Sequence, residues 1–240
     1  MDRNDLRQQK AGTAADANIQ YEEGRQRSIL IVTAVEAERE AVRRGLGQDG
    51  RFEVVAGGVG PVAAAVSTTR TLASASDRYS LVISAGIGGG FAGQADIGSI
   101  VVASEIIAAD LGADTADGFS SLEQLGFGSS RIGTDQAVSQ RLAEALRAAS
   151  IPVRHAPVLT LATVTGSAEK AEELAVRVPG AAAEAMEGFG VAYAASVFQL
   201  PAMELRAISN AVGPRDRAAW RIPDALQSLE SACAVLREVM

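Results

Sequence analysis

Several carboxylates and one amide stand where an apolar run gives way to a turn. Glu36 and Glu38 directly follow the apolar run 28–34. On a helix, two residues at that spacing lie about 200° apart, so they cannot share one role. Such spacing lets one face a cleft and the other solvent. The positive end of a helix dipole also favours acids in a first turn, and this plainer reading accounts for either glutamate taken alone. Glu187 sits in Ala-Glu-Ala-Met-Glu-Gly, residues 183–188. Glutamate among small apolar residues is seldom fully buried unless paired or functional. Met186 beside it can pack on an apolar ligand face or fill core. Asn210 ends the strand-like run 205–209, and open α/β sheets bind ligands at the carboxyl ends of their strands. A turn asparagine bonding its own backbone is the alternative. Arg215 and Asp216 follow a Gly-Pro turn and can meet a ligand or pair with each other.

Two glycine tracts accompany these residues. Gly86, Gly88, Gly89 and Gly90 let backbone approach a flat ligand closely, or make a tight turn with no ligand. Residues 58–63, Gly-Val-Gly-Pro-Val-Ala, fit the loose dinucleotide pattern G-x-G-x-x-A. No acidic residue ends the next strand, so a tight turn is the better reading there.

The elements that must position these groups alternate. Strands are expected at 28–34, 52–56, 81–85, 98–104 extended by Ile106 and Ile107, 158–164 and up to Ser209 after Pro201. Helices are expected at 36–46, 61–75, 135–149, 168–178, 188–199 and 223–239, with a short apolar run at 181–186. The glycines 86–90 read as the end of their strand. Residues 109–133 have little periodicity and read as a long loop with short pieces, where lids and specificity elements often lie. His155 reads as an exposed loop residue. Alternation with few gaps predicts a largely parallel sheet covered by helices on both faces.

Composition narrows the function classes. A chain of 240 residues, 48% hydrophobic, can bury a sizeable core, and one domain over 28–240 is expected. Residues 1–27 are polar and charged and read as a disordered tail outside that domain. The net charge of -7, with no Lys/Arg block, argues against nucleic acid as a partner. No apolar run approaches the roughly 20 residues of a membrane span, so no membrane partner is expected. One cysteine, Cys233, and one histidine preclude an internal disulfide and Cys- or His-rich metal centres; a reducing, cytoplasmic setting is expected.

Five segments taken in order carry a resemblance: 34–40 (Ala-Val-Glu-Ala-Glu-Arg-Glu), 84–89 (Ser-Ala-Gly-Ile-Gly-Gly), 98–102 (Gly-Ser-Ile-Val-Val), 185–187 (Ala-Met-Glu) and 206–210 (Arg-Ala-Ile-Ser-Asn). They resemble the nucleoside phosphorylases and nucleosidases, above all the methylthioadenosine/adenosylhomocysteine nucleosidase branch, over nearly everything from Ser28 to Met240. The resemblance implies a three-layer α/β/α sandwich with a central, mostly parallel, mixed and twisted sheet. It implies cleavage of a purine–ribose bond with no metal and no cofactor, and a homo-oligomer. By position Glu38 resembles the family's water-activating glutamate and Glu36 the outer one. Glu187 resembles the glutamate that holds the ribose hydroxyls, with Met186 on the sugar. Thr163 and Val164 resemble the segment whose backbone meets the base; Gly86, Gly88 and Ser209 complete the expected substrate contacts.

The chain departs from the adenine-cleaving branch at Asn210, where that branch has aspartate. A carboxylic acid can protonate N7 of a leaving adenine, whereas an amide donates without giving up its proton. A 6-oxopurine presents N7 and O6 as neighbouring acceptors, so Asn210 points toward hypoxanthine or guanine. Residues 212–216 with Trp220 resemble the hydrolases of this family that release hypoxanthine. Their nucleoside carries a carboxylated aromatic group on its 5′ side, which Arg215 or the 109–133 segment would meet. The expected partner is therefore a small purine nucleoside, hydrolysed through an oxocarbenium-like transition state. Phosphorolysis is the nearest rival, but phosphate needs fixed cationic donors, and no arginine lies beside 57–60. A non-catalytic purine-binding module and a dinucleotide-dependent oxidoreductase are more distant rivals.

Overall fold

A computed structural model describes residues 27–240; the tail expected over 1–27 lies, Arg27 apart, outside them. Aliphatic runs form β1 (Ser28–Thr33), β2 (Phe52–Ala56) and β3 (Tyr79–Gly90), joined by α1 (Glu36–Leu46) and α2 (Pro61–Ala75). Such runs suit parallel strands buried on both faces, and β1 pairs in parallel with both β2 and β3. Then come β4 (Ile100–Ala108), the hairpin β5 (Gly112–Thr115) and β6 (Gly118–Ser121), α3 (Leu122–Leu125), β7 (Arg131–Gly133) and α4 (Gln136–Ala148). The chain closes with β8 (Val153–Thr160), α5 (Ala168–Arg177), β9 (Ala183–Ala185), α6 (Gly188–Val197), β10 (Ala202–Ala211) and α7 (Ile222–Val239).

The main sheet runs β10-β4-β8-β9-β3-β1-β2, with β7 on β4. β10 also pairs in parallel with β3, so β10, β4, β8, β9 and β3 form a closed ring. The pairings of β10 with β4, β3 with β9 and β4 with β7 are antiparallel and the rest parallel. One face of the sheet carries α1, α4 and α7 over Ile31, Ile83, Val102 and Leu205. The other carries α2 and α6 over Leu30, Val82, Val101 and Ile208. This is the expected three-layer arrangement with a mixed, mostly parallel sheet.

Four local expectations change. The glycine tract 86–90 does not follow β3: it forms the last five of its 12 residues, paired with β10 and β9. Glycine lowers strand propensity, but neighbours on both sides hold the tract extended. β8 starts at Val153 and ends at Thr160, upstream of the expected 158–164. Its first three residues are half-buried or exposed and read as no apolar run, and the run that marked it in the sequence continues beyond the strand. His155 therefore lies in a strand, half-buried, its Nε2 3.1 Å from Ser139 Oγ. The 109–133 segment holds the β5–β6 hairpin, α3 and β7 rather than a plain loop.

Candidate active site

The carboxyl ends of β1, β3 and β10 lie side by side, and a buried arginine ties together the acids that converge there. Arg206, on β10, is 1% exposed. Its Nε donates to Glu204 at 2.8 Å, its Nη2 to Ser84 Oγ at 2.8 Å, and its Nη1 lies 3.3 Å from Glu187 Oε2. Burial opposes the charge on Arg206, but Glu204, Glu187 and Glu38 outweigh it and push its pKa up. An arginine so held is a fixed cation inside a low-dielectric cluster.

Glu38 reaches this cluster from the first turn of α1. Its Oε2 accepts from the N–H groups of Ala34 (2.9 Å) and Val35 (3.2 Å), the return half of a capping box. Its Oε1 accepts from Ile87 N–H at 2.9 Å. The helix-capping role and the cleft-facing role thus fall on one side chain. Burial raises its pKa, partly offset by Arg206 and by the Ile87 and Val35 N–H groups. Glu36 instead points to solvent and pairs with Arg39 at 2.9 Å. Gly86 makes room for the encounter: a Cβ there would lie 2.6 Å from Glu38 Oε1 and 2.8 Å from Arg206 Nη1.

Glu187 stands at the start of α6, buried. Its Oε1 accepts from Gly60 N–H at 3.1 Å and its Oε2 from Met186 N–H at 3.3 Å. The 57–60 glycine turn therefore has a use beyond turning. Gly60 takes φ of 91°, which favours glycine, and aims its N–H at a carboxylate rather than at a dinucleotide.

Asn210 lies on the opposite phase of β3. The register of β10 against β3 slips between Ile208 and Asn210, a bulge at Ser209. In an unbroken strand Asn210 would share a face with Arg206 and Ile208; the extra residue re-aims it onto the face of Gly89. A Cβ on Gly89 would lie 3.2 Å from Asn210 Nδ2. Asn210 Oδ1 accepts from Ser209 Oγ at 2.8 Å, and its Nδ2 donates to the Ala211 carbonyl at 3.0 Å, leaving one amide N–H. Gly88 backs onto the carbonyl of Glu184, 2.7 Å from where its Cβ would be.

The other expected residues divide. Met186 is half-buried next to Glu187, while Thr163 and Val164 are exposed in the segment after β8. Arg215 is exposed, with its guanidinium 5.7 Å from the Trp220 ring centroid; Asp216 caps the following turn through Ala218 N–H. A cavity of about 410 Å³ beneath the 109–133 segment is lined by Ile107, Phe119, Glu123 and Arg177 among others, and by none of the expected site residues.

The sequence reading passed over Arg206, Glu204 and Gly60. Glu204 and Arg206 are two apart in an otherwise apolar strand, which places opposite charges on one buried face. That spacing was the available signal for a buried ion pair. Nothing in the sequence linked Gly60 to Glu187, because the two lie 127 residues apart.

Residues 12–239 match the model of the Phosphorylase superfamily, and the chain belongs to that family. Within it, the chain is 48% identical to futalosine hydrolase of Streptomyces coelicolor, over 88% of this chain and 96% of that one. It is 45% identical to futalosine hydrolase of Acidothermus cellulolyticus, over 86% and 89% respectively. Futalosine hydrolase of Helicobacter pylori, at 18% identity, shares the fold, with a TM-score of 0.76 over 89% of this chain and 98% of that one.

Proposed function

We propose that this protein hydrolyses the N-glycosidic bond of a 6-oxopurine nucleoside, and that its substrate is futalosine, giving hypoxanthine and dehypoxanthine futalosine in menaquinone biosynthesis. The observation that carries the reading is the amide of Asn210, re-aimed by a bulge onto the side-chain-free floor at Gly89, beside a cluster of buried carboxylates. The identity to two futalosine hydrolases supports the choice of nucleoside.

Glu38 takes a proton from water as the oxygen bonds to the ribose anomeric carbon and the bond to the purine nitrogen breaks. That proton balances the one hypoxanthine must regain. Glu187, held by Gly60, Met186 and Arg206, orients the ribose hydroxyls and favours positive charge on the sugar ring. Asn210 donates to the purine as negative charge develops there. Met186 packs on the sugar, Gly86, Gly88 and Ser209 line the pocket, the 163–164 backbone meets the base, and Arg215 meets the 5′ carboxylate. Water rather than phosphate is the nucleophile, because Arg206 is committed to Glu204, Ser84 and Glu187 and surrounded by acids that repel an anion. Hypoxanthine release from futalosine, followed by chromatography with and without phosphate, tests this. Equal turnover in both buffers is expected; a requirement for phosphate would replace hydrolysis with phosphorolysis.

The active form is proposed to be a homo-oligomer. Val59, Val62 and Val66 on and before α2, with Tyr193 and Val197 on the adjacent α6, are exposed apolar residues that a second copy would cover.

A further inference from the structure

Glu204 is a fully buried carboxylate to which the hydrolysis above gives no part. It lies two residues before Arg206 on β10, and the two interrupt the apolar face that Ala202 and Ile208 turn toward α6. Its Oε1 accepts from Arg206 Nε at 2.8 Å. Its Oε2 has no hydrogen-bond partner among the described residues and faces Gly188, where a Cβ would coincide with the carboxylate. The first turn of α6 is thus cut back to admit an acid that reaches neither solvent nor the cleft. Burying an ion pair seldom stabilises a fold, because apolar residues of similar volume do as well or better.

The surroundings of Arg206 supply another reason. The charged groups packed around it are Glu204 from its own strand, Glu187 from the start of α6 and Glu38 from α1, with Ser84 of β3 as a neutral acceptor. Of the three acids, Glu204 and Glu187 lie within ion-pair distance. With an apolar residue at 204, Glu38 and Glu187 would share the whole charge of the guanidinium. That cation would hold Glu38 as a carboxylate of low proton affinity, which is a poor base. It would also draw Glu187 away from the ribose hydroxyls.

We propose that Glu204 is a positioning residue for the hydrolysis: it pins the Arg206 guanidinium by Nε and balances its charge, leaving Glu38 free to take a proton and Glu187 free to hold the ribose. The proposal rests on the reading above in which Glu38 is the base. Glu204 touches neither water nor nucleoside and acts through Arg206. The Nε contact fixes the plane of the guanidinium, so that Nη1 meets Glu187 and Nη2 meets Ser84. Burial raises the pKa of Glu38 and Arg206 opposes the rise; a balanced Arg206 opposes it less.

The variant Glu204→Gln removes the charge and keeps an oxygen for Arg206 Nε. Hypoxanthine release from futalosine is followed from about pH 4 to 9 in both proteins, with kcat and KM separated. The acid limb of kcat/KM should move to lower pH by about 0.5–1.5 units in the variant. The plateau kcat should fall about tenfold, with KM within about threefold of the unmodified value. Glu204→Met, of similar length with neither charge nor acceptor, should move the limb the same way. A merely structural role would lower activity alike at every pH and leave the limb in place. That result, a limb displaced to higher pH, or failure of both variants to fold would overturn the proposal and leave the hydrolase reading standing. If the unmodified protein releases no hypoxanthine from futalosine, the hydrolase reading itself falls, and this proposal with it.

Discussion

Glu38 accepts three backbone N–H bonds yet has its pKa raised, because burial outweighs those bonds and the attraction of Arg206. Two consequences follow for the residue. Glu38→Gln should lower kcat by about 10²–10⁴-fold, roughly 3–5 kcal/mol in the barrier, while nucleoside binding stays measurable; near-normal kcat in steady-state kinetics would remove Glu38 as the base. The acid limb of kcat/KM should turn over above the ordinary glutamate value of 4.5, because the working form is the carboxylate and burial makes it harder to keep. Burial likewise raises Glu184 and Glu204, opposed by Thr165 and by Arg206 respectively. For acids raised in this way the linked stability is full below the unfolded value and is lost as pH rises through the raised one. Their ionised forms therefore cost stability at neutral pH, a cost that a polar site can carry for function.

Among the elements, β3 does the most to shape the site, through what its last residues lack. Gly86 and Gly88 face Arg206, Gly89 faces Asn210, and none blocks the approach of a neighbour. Gly86→Ala would drive a methyl group into Glu38 and Arg206. A displacement on the order of 1 Å near the chemistry costs about 10²-fold, so activity should fall by that order while the far-ultraviolet circular dichroism keeps its shape; full activity would mean that Glu38 and Arg206 have more room than the structure gives them. Most of the elements themselves were legible in the chain, because aliphatic runs and 3.6-residue periodicity mark buried strands and amphipathic helices directly. Helix α1 and strand β2 fall where the pattern puts them. The glycine tract was misread as a strand end because its β character comes from pairing on both sides, which no local pattern encodes. The bulge at Ser209 was invisible for the same reason: it is a property of register between two strands 120 residues apart. Glu38, Glu187 and Asn210 could be picked out as polar residues at the ends of apolar runs. The arginine between the first two showed in the sequence only its pairing with Glu204, since its other partners come together only when β1, β3, β10 and α6 do.

For the molecule as a whole, the five-strand ring brings the carboxyl ends of β3 and β10 and the end of β9 to one place, with the residues proposed for ribose chemistry and for base recognition on opposite phases of β3. The apolar residues left exposed on α2 and α6 predict that light scattering will give a mass at least twice that of one 24.7 kDa chain. Val62→Glu with Val66→Glu should lower that mass; a monomer in the unmodified protein would reject the interface. The central claim is the choice of base, and the most direct test is kcat/KM for futalosine against methylthioadenosine, measured with the unmodified protein and with Asn210→Asp. A site built on a hydrogen bond can reject the wrong partner by several kcal/mol because buried polar groups are left unpaired, roughly 10²-fold or more in rate. The account predicts at least that preference for futalosine, and a weaker futalosine reaction in Asn210→Asp, where an ionised carboxylate repels the charge developing on the purine. Equal cleavage of the two nucleosides by the unmodified protein would contradict it and leave a general purine nucleosidase.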